Sequence, residues 1–386
     1  MKILHIITSL QTGGAETLVV NLMPRFLALG HEVGVVVFNG RRTPLMERLE
    51  RECPECRIYC LGHSYYSLTY IFQLARIMRH YDVVHTHNSS PQLFAAIANI
   101  VCRKRLVTTE HSTNNRKREQ GGLLRQVDRW MYRHYDKVIC ISEIAEQKLR
   151  EYLNVNGNET LTLRRTKDEG RKTKDEGRRT KDENSKLKTL NNICTINNGV
   201  DVEAIHQAAP ISELQSERFV TVMVAGFREA KDQDTLIRTM ALLPEGYELW
   251  LVGDGVRRDC LERLALTAGV KDRVKFLGLR TDVPRILKTA DVVVMSSHWE
   301  GLSLSNIEGM SAGKPFVASN VNGLREVTDG YGLLFPHEDA EALAKVIQKL
   351  HDEPDFYRQV AEKCYERAKQ FDISEMVARY NEVYEG

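Results

Sequence analysis

Hydrophobic positions along the chain fall into short runs that alternate with amphipathic segments. In the first half the apolar runs are KILHIIT, EVGVVVF, CRIYCL, DVVHTH, RLVTTE and KVICIS. Their length and their β-branched residues predict buried β-strands. Between the first two runs, AETLVVNLMPRFLALG has the spacing of an amphipathic helix and reaches Gly30, where a helix can stop. This alternation predicts a doubly wound domain with a parallel sheet.

The same alternation begins again in the second half. CTINNGVD predicts a last strand and a turn, and the apolar runs that follow are FVTVMVAGF, YELWLVGD, RVKFLG, ADVVVMSS, KPFVAS and GLLF. A chain of 386 residues is long enough for two ordinary domains. We predict an α/β protein of two Rossmann-like doubly wound domains facing each other across a cleft. The predicted domains are residues 1–199 and 200–370, followed by a helix at about 371–386.

One segment, from about 160 to 190, interrupts this pattern. A seven-residue repeat begins there at Thr166, Thr173 and Thr180, each time with Thr-Lys-Asp-Glu. A coiled coil needs apolar residues at two of its seven positions, and this unit has none. Because the segment has no face to bury, we predict a disordered, solvated insert. A tolerated surface expansion and an arm that binds a partner or a membrane are both open interpretations.

Charge and hydropathy exclude two classes of protein. Residues 164–188 carry eleven Lys or Arg and six Asp or Glu, a net charge of +5. Because the formal net charge of the whole chain is +2, the rest of the chain carries −3. Because the chain outside this segment has no net positive charge, nucleic acid is not an expected partner. No apolar run reaches the roughly 18–20 residues that cross a bilayer, and the apolar start is too short for a signal peptide. We therefore expect a cytoplasmic protein.

The cysteines give little support for a metal site. Cys53 and Cys56 have the Cys-x-x-Cys spacing of half a zinc site, and Cys60 follows them. No second Cys-x-x-Cys and no His pair completes the set. We interpret the three as reduced thiols and predict no metal.

Two glycine motifs follow predicted strands, where ligands of doubly wound sheets bind. Gly13 and Gly14 would let the backbone approach a ligand closely, and the helix N-terminus after them favours an anion. A tight turn without a ligand explains this pair equally well. Gly253 and Gly255 form half of a dinucleotide fingerprint, but Arg258 takes the place of its third glycine. For these two residues a tight strand-to-helix turn is the favoured interpretation.

Charged side chains follow other predicted strands. Arg228 and Lys231 lie three residues apart, where a loop should run into a helix. Cations near a helix N-terminus are unfavourable unless an anion is bound, so the pair suggests a diphosphate site. A solvated pair is the alternative. His111 follows RLVTTE and is a candidate for contacting a sugar hydroxyl or moving a proton, whereas His85 and His87, in DVVHTH, include at least one packing residue.

Two carboxylates follow the strand DVVVM. Glu300 lies in the loop after this strand, and Glu308 lies in the helix that NIEGMSAG predicts. Backbone N–H groups in such a loop suit phosphate oxygens, and a carboxylate can accept hydrogen bonds from the two hydroxyls of a ribose. The preference of acids for helix starts explains Glu308 but not Glu300, which precedes Gly301 in a tight loop.

Together these motifs resemble those of a known family. The pattern Ser-x-x-x-Glu-Gly-x-Ser-x-x-x-x-Glu-x-Met-x-x-Gly-Lys-Pro, from Ser296 to Pro315, resembles the signature of retaining glycosyltransferase family 4. The resemblance extends over nearly the whole chain through the early Gly-Gly loop, Asp-Val-Val-His-x-His, the turn at His111, Asn-Gly-Val-Asp, the Arg228–Lys231 pair and Gly-Asp-Gly at 253–255. The repeat insert has no counterpart in this pattern.

The resemblance implies a GT-B fold whose last helix crosses back to the first domain. It implies transfer of a sugar from a nucleotide-diphosphate sugar, with retention and without a metal or cofactor. Arg228 and Lys231 would hold the diphosphate, Glu308 would bind the ribose, and Leu279 would lie near the base. The loop that would contact the donor sugar and phosphates consists of Glu300, Gly301, Leu302, Ser303, Leu304 and Ser305.

In the first domain the resemblance implies that Gly13 and Gly14 approach a phosphate and that His111 lies beside the reacting centre. The implied acceptor is a glycan or a lipid-linked glycan, in capsular, exopolysaccharide or lipopolysaccharide synthesis. A basic and aromatic stretch suits an anionic lipid surface at the inner membrane, although a solvated helix and loop is the alternative. Its cations are Arg116, Lys117, Arg118, Arg125, Arg129 and Arg133.

Other functions are compatible with two α/β domains. A sugar-nucleotide epimerase or a phosphorylase shares the GT-B fold, and a non-enzymatic nucleotide-sugar-binding protein would need only the donor site. The missing third glycine beside Gly253 and Gly255, and the placement of Glu300 and Glu308, argue against a nicotinamide-dependent oxidoreductase.

Overall fold

Two parallel β-sheets account for the predicted strands in a computed structural model that describes residues 1–11, 13–111, 122–153, 192–300 and 304–386. The predicted insert at 160–190 lies outside the described residues. Close contacts divide the chain into two units. The first unit is Met1–Asn197 with Val377–Gly386, and the second is Asn198–Met376.

The first unit contains seven parallel strands in the order β3-β2-β1-β4-β5-β6-β7. These strands are β1 (Lys2–Ile7), β2 (Glu32–Asn39), β3 (Arg57–Gly62), β4 (Val83–His87), β5 (Arg105–Glu110), β6 (Lys137–Cys140) and β7 (Ile193–Thr195). The helices between them are α1 (Gly14–Ala28), α2 (Pro44–Glu52), α3 (Thr69–Met78), α4 (Ser89–Cys102), α5 (Leu123–Tyr132) and α6 (Glu143–Leu153). The strand order reverses between β1 and β4, which makes their carboxyl ends a site where doubly wound folds bind ligands.

The second unit contains six parallel strands in the order β10-β9-β8-β11-β12-β13. These strands are β8 (Phe219–Val224), β9 (Tyr247–Val252), β10 (Val274–Gly278), β11 (Val292–Met295), β12 (Phe316–Ser319) and β13 (Leu333–Phe335). Its helices are α7 (Val202–His206), α8 (Gln233–Leu242), α9 (Arg258–Thr267), α10 (Val283–Thr289), α11 (Leu304–Ser311), α12 (Leu324–Thr328), α13 (Ala340–Asp352) and α14 (Pro354–Lys369). Here the order reverses between β8 and β11.

The last helix, α15 (Ile373–Glu385), contributes its final residues to the first unit. Tyr380 and Tyr384 are fully buried there, and Arg105 donates to the carbonyl oxygen of Val383 at 2.8 Å. Apolar and aromatic burial of this size contributes several kcal/mol. The predicted α/β class with two Rossmann-like units is confirmed. Among the helices that the structure describes, none is both long and apolar enough to cross a membrane.

The element starts follow local chemistry. Thr43, Asp232 and Asp339 each accept a hydrogen bond from the backbone N–H three residues later, which begins α2, α8 and α13. The helix predicted from NIEGMSAG begins two residues earlier and ends at Ser311. Gly313, at φ +67°, then turns the chain toward β12.

Gly309 lets α11 lie directly against the second sheet. A Cβ atom at this position would come within 2.7 Å of the Phe316 ring and 2.8 Å of Val293 Cγ1. We expect Gly309→Ala to lower the free energy of unfolding of this unit by about 1–3 kcal/mol, because overpacking exceeds the gain in helix propensity. The measurement is the midpoint of thermal or urea unfolding. Gly246→Ala is the matched control, since its Cβ position has no atom within 4 Å among the described residues beyond its chain neighbours. An equal loss in both variants would contradict the packing argument.

Candidate functional site

In the second unit the predicted diphosphate residues and Glu300 lie where the strand order reverses. β8 and β11 are neighbours in the sheet, and the loops after them carry Lys231 and Glu300. The loops are joined by backbone hydrogen bonds, from His298 N to Ala230 O at 3.0 Å and from Asp232 N to Ser296 O at 3.2 Å. Two residues far apart in the sequence are therefore held together by the ends of adjacent strands.

Buried Asp232 joins the two loops through side-chain hydrogen bonds. Its carboxylate accepts from the Ser296 hydroxyl at 2.9 Å and from the backbone N–H of Thr235 at 3.1 Å, which caps α8. Asp232 and Ser296 are buried. Sequence reasoning did not select either residue, although a helix-capping Asp directly after the Arg228–Lys231 loop was a usable signal. The cap fixes the direction in which the chain at Lys231 enters the helix.

Lys231 and Glu300 form an ion pair across the two loops. Their side chains are 19% and 18% exposed, so solvent screens the pair less than it screens a surface salt bridge. Burial, assisted by the positive charge of Arg228, lowers the pKa of the Lys231 amine to about 8. The Glu300 carboxylate acts in the opposite direction. The pKa of Lys231 is lowered overall because the amine has lost most of its water and has a second cation nearby.

Arg228 lies one turn before Lys231 and is exposed. The Lys231 backbone N–H donates to the Arg228 carbonyl oxygen at 2.9 Å, so a tight turn holds the two residues together. An ammonium has three donors, and the Glu300 carboxylate occupies only part of this capacity. The arrangement can therefore present two cations to an anion at the carboxyl edge of the sheet.

Gly253 and Gly255 pack the neighbouring loops together. A Cβ atom at Gly253 would lie 2.1 Å from the carbonyl oxygen of Ala225, and one at Gly255 would lie 2.4 Å from that of Phe227. The Phe227 N–H also donates to the carbonyl oxygen of Asp254 at 3.0 Å. The glycines are thus required by a close backbone contact beside the Arg228 loop, as the tight-turn interpretation predicts.

The other described residues predicted to bind the donor lie in α11 and after β10. Leu304 and Ser305 begin α11 and are half-buried, as is Glu308 one turn later. Leu279 directly follows β10 and is 67% exposed. The predicted contacts at Gly301, Leu302 and Ser303 lie outside the described residues. The structure thus brings Arg228, Lys231 and Glu300 together. The others lie in α11, which follows β11, and after β10, which β9 separates from β8.

Buried Asn306 lies between Ser305 and Glu308 on the other side of α11. Its side-chain nitrogen donates weakly to the carbonyl oxygen of Leu324 at 3.5 Å, and no partner of its Oδ1 atom is found among the described residues. A buried amide oxygen without a partner costs about 1–3 kcal/mol. Sequence reasoning passed over Asn306 because one Asn in a helix carries no distinctive spacing.

In the first unit, Gly13, Gly14 and His111 follow the central strands. Gly13 precedes α1, and its carbonyl oxygen accepts from Thr17 N at 2.9 Å, whereas Gly14 is the first residue of the helix. His111 directly follows β5, and its Nε2 atom lies 2.9 Å from Nδ1 of His87. The imidazole of His111 is therefore held in place by the last residue of β4.

The imidazoles continue into the core. Nε2 of His87 lies 2.9 Å from Nδ1 of His5, and His5 pairs in register with His85 on the neighbouring strand. His5, His85 and His87 are fully buried. Sequence reasoning missed His5, although a polar residue in the apolar strand KILHII, facing DVVHTH, was a signal for a buried polar network.

Two groups of side chains have the composition of metal ligands. Nitrogen atoms of His5, His85 and His87 lie within 4.8 Å of one another, and Asp232, His298 and His337 form the second group. Several of the atoms concerned already hydrogen-bond to protein. In the second group Nδ1 of His298 lies 2.9 Å from Nε2 of His337, and Ser296 and Thr235 donate to Asp232. Catalysis without a metal stays a prediction.

Comparison with known families and proteins gives concordant matches. Residues 12–161 match the family model described as Glycosyltransferase Family 4, and residues 205–371 match that described as Glycosyl transferases group 1. The putative glycosyltransferase EpsD of Bacillus subtilis is 26% identical over 323 residues, which are 79% of this chain and 76% of EpsD. The lipopolysaccharide core biosynthesis glycosyltransferase LpsE of Rhizobium meliloti is 37% identical over 149 residues, which are 38% of this chain and 44% of LpsE.

A third relative is named for its substrates. The Escherichia coli UDP-Gal:alpha-D-GlcNAc-diphosphoundecaprenol alpha-1,3-galactosyltransferase is 25% identical over 335 residues, covering 77% of this chain and 73% of its own. Among solved structures, Anabaena HepE in complex with UDP-glucose has a TM-score of 0.78 at 21% identity and 99% coverage of both chains. WaaG, a glycosyltransferase involved in lipopolysaccharide biosynthesis, has a TM-score of 0.66 at 15% identity and full coverage of both chains.

Proposed function

Because the chain belongs to glycosyltransferase family 4, group 1, with the GT-B fold, we propose that it is a retaining, metal-independent glycosyltransferase. Its donor is a nucleotide-diphosphate sugar, and its acceptor is a glycan or a lipid-linked glycan. The reaction belongs to the synthesis of a capsule, an exopolysaccharide or a lipopolysaccharide. LpsE, which is named for lipopolysaccharide core biosynthesis, and the E. coli galactosyltransferase, which is named for a diphosphoundecaprenol-linked acceptor, support this assignment.

The observation that carries the proposal is the Lys231–Glu300 pair beside Arg228, at the ends of β8 and β11. Breaking a sugar–phosphate bond leaves negative charge on the departing diphosphate. Fixed cations in a partly desolvated place stabilise this charge more strongly than water does. Two such cations also supply the charge for which other enzymes use a divalent metal.

The other residues take complementary roles in this proposal. Glu308 accepts from the ribose hydroxyls, and Glu300 and the start of α11 orient the transferred sugar. Leu279 offers an exposed apolar surface to the base. Gly13 and Gly14 approach a phosphate, and His111 contacts the transferred sugar. Retention follows if the acceptor attacks from the face that the diphosphate leaves, with the leaving phosphate accepting the acceptor's proton.

Cations on and just after α5, together with the acceptor named for one relative, support the proposed acceptor class. Arg125 and Arg129 lie over the ring of Tyr152, 5.6 and 5.5 Å from its centre, and Arg129 also donates to the Tyr152 carbonyl oxygen at 2.6 Å. Arg129 thus has an internal role, whereas Arg125 and Arg133 are exposed. Exposed cations on a helix suit a lipid diphosphate or an anionic inner-leaflet surface. The predicted cations Arg116, Lys117 and Arg118 lie outside the described residues.

A binding screen followed by an activity assay tests the proposal. Thermal unfolding in the presence of UDP-, GDP- and ADP-sugars should show stabilisation by one nucleotide class, because a ligand of the native state stabilises it by mass action. With that donor and a lipid-linked glycan acceptor, free nucleoside diphosphate should appear only when both are present, and equally in excess EDTA. Product NMR should show the donor's anomeric configuration. Nucleotide release without transfer, an epimerised donor, or no binding to any nucleotide sugar would contradict it.

Donor affinity should depend on pH through Lys231. Its ammonium carries full charge below its pKa of about 8 and loses this charge as the pH rises. A bound diphosphate raises this pKa, so binding takes up a proton above pH 8. We expect the dissociation constant of the nucleoside diphosphate to rise about tenfold between pH 7.5 and 9, as measured by calorimetry. Lys231→Arg, charged throughout this range, is the control and should give a flat profile; a wild-type profile equally flat would refute the role of the amine.

A further inference from the structure

A continuous chain of hydrogen bonds runs from His111 into the first unit. Nε2 of His111 pairs with Nδ1 of His87 at 2.9 Å, and Nε2 of His87 pairs with Nδ1 of His5 at 2.9 Å. Nε2 of His5 in turn faces the Tyr384 hydroxyl at 3.5 Å. Both nitrogens of His87 and of His5 are therefore used.

The chain continues beyond Tyr384. Its hydroxyl also contacts Nδ1 of His85, whose Nε2 atom lies 2.8 Å from Oγ1 of Thr109. Oγ1 of Thr109 lies 3.0 Å from the hydroxyl of Tyr380. We call these seven side chains the relay: Tyr380, Thr109, His85, Tyr384, His5, His87 and His111. All except His111, which is half-buried, are buried.

The imidazoles of the relay are neutral. Burial lowers the pKa of His5 to about 3 and that of His111 to about 4, and it lowers those of His85 and His87 well below the usual value. A neutral imidazole has one N–H donor and one acceptor nitrogen. Each ring in the relay must therefore donate a hydrogen bond on one side and accept one on the other. The direction of one hydrogen bond then fixes the direction of all the others.

The buried end of the relay, at Tyr380, favours one direction of hydrogen-bond donation. Among the described residues, Oγ1 of Thr109 is the hydrogen-bond partner found for the hydroxyl of Tyr380. If Tyr380 donates, Thr109 donates to Nε2 of His85, and each later group as far as His87 finds an acceptor, so that the free N–H is that of half-buried His111 at the outer end. If the direction is reversed, the Tyr380 hydroxyl hydrogen is buried without an acceptor in the part of the chain that the structure describes. Leaving such a group unsatisfied costs about 1–3 kcal/mol.

We propose that the relay fixes His111 as a neutral imidazole protonated on Nδ1, so that His111 offers a hydrogen-bond donor to the substrate and is not a base. The donating order is Tyr380, Thr109, His85, Tyr384, His5, His87, His111. His87, His5 and Tyr384 are then positioning residues for a reaction that His111 contacts directly. This role rests on the proposed function, and no partner of Nδ1 of His111 is found within the described part of the chain.

In a glycosyl transfer such a donor has a specific use. A fixed N–H group can bind a hydroxyl oxygen of the transferred sugar and hold it throughout the reaction without exchanging a proton. The donor is pre-oriented, so no reorganisation is needed when charge develops at the anomeric carbon. A solvated imidazole would instead populate both tautomers and would be protonated near pH 6.5.

The test is the tautomeric state of the histidines in the full-length protein without substrate. Long-range ¹H–¹⁵N correlation NMR on ¹⁵N-histidine-labelled protein at pH 7 distinguishes the two protonated nitrogens, and single His→Gln variants assign the signals. We expect the Nδ1–H form for all four relay histidines, with exposed His63 as an internal reference for a solvated ring. Protonation on Nε2 of His111, His87 or His5, or a mixture of tautomers there, would overturn the proposal. Because no substrate is present, this outcome is independent of whether the donor-binding screen succeeds.

Tyr384→Phe tests the functional consequence. It removes the group that donates to His5 and accepts from His85, so the orientation is no longer fixed. We expect mixed tautomers at His111 and a roughly tenfold lower kcat with little change in KM for the donor. Tyr135→Phe is the matched control, since its buried hydroxyl contacts Thr86 and Gln92 outside the relay, and it should alter neither signal nor kcat. If Tyr384→Phe retains pure Nδ1–H signals and full turnover, the relay does not position His111.

Discussion

Lys231→Met should lower kcat/KM for glycosyl transfer by about 10²–10³-fold, the range for removing one preorganised charge from a transition state. The variant also leaves the partly buried Glu300 carboxylate without its partner. That carboxylate then repels the donor diphosphate, so donor affinity should fall together with kcat. Calorimetry with the nucleoside diphosphate and an acceptor-dependent assay of its release measure the two effects.

Lys275→Met is the matched control for this loss. Lys275 also forms a Lys–Glu ion pair in the second unit, with Glu248 at 2.7 Å. It lies near the start of β10, away from the carboxyl ends of the strands. We expect Lys275→Met to leave donor affinity and turnover unchanged. An equal loss in both variants would show that ion pairing stabilises the unit in general and that Lys231 has no special role with the diphosphate.

Glu300→Gln should lower kcat by about 10²-fold or more while nucleoside diphosphate affinity is unchanged or improved. The amide keeps the shape of the carboxylate but loses its charge, so Lys231 is released to the diphosphate and the repulsion disappears. The contact to the transferred sugar, which the proposal assigns to the carboxylate, is weakened. Calorimetry with the nucleoside diphosphate alone and turnover with the complete donor separate the two effects.

The double variant Lys231→Met/Glu300→Gln makes this comparison sharper. Because the two side chains touch, their effects on diphosphate affinity should not add, and the double variant should bind better than Lys231→Met alone. Thermal unfolding measured on each variant distinguishes a loss of structure from a loss of chemistry. Additive losses in affinity, or a Glu300→Gln variant with full turnover, would contradict the assignment of the carboxylate to the sugar.

The alternating strands were readable from the sequence because burial of a strand on both faces requires a continuous apolar run. The strands found at β8 and β11 lie within FVTVMVAGF and ADVVVMSS. Helix ends were less well determined, since α11 begins two residues earlier than the pattern indicates. Its start depends on the loop after β11, and a periodic pattern carries no information about that loop.

The candidate residues were selected by their position after strands, and this criterion is local. It found Arg228, Lys231, Glu300 and His111, but it did not predict that Lys231 and Glu300 would pair with each other. It also passed over Asp232 and Ser296, whose hydrogen bond at 2.9 Å joins the same two loops. Contacts of this kind depend on which strands are neighbours in the sheet. No short stretch of the sequence specifies that order.

The relay shows the same division most clearly. DVVHTH and RLVTTE placed His85, His87 and His111 at strand ends, but His5 had the appearance of one polar residue in an apolar strand. Tyr380 and Tyr384 come from a helix almost 300 residues beyond His85 in the sequence. The sequence alone therefore determined the α/β class, the doubled domain and the strand-end chemistry, because hydrophobic periodicity and residue type are local properties. Which of these side chains meet was decided by strand order and by the docking of the last helix, because packing joins residues that no local pattern connects.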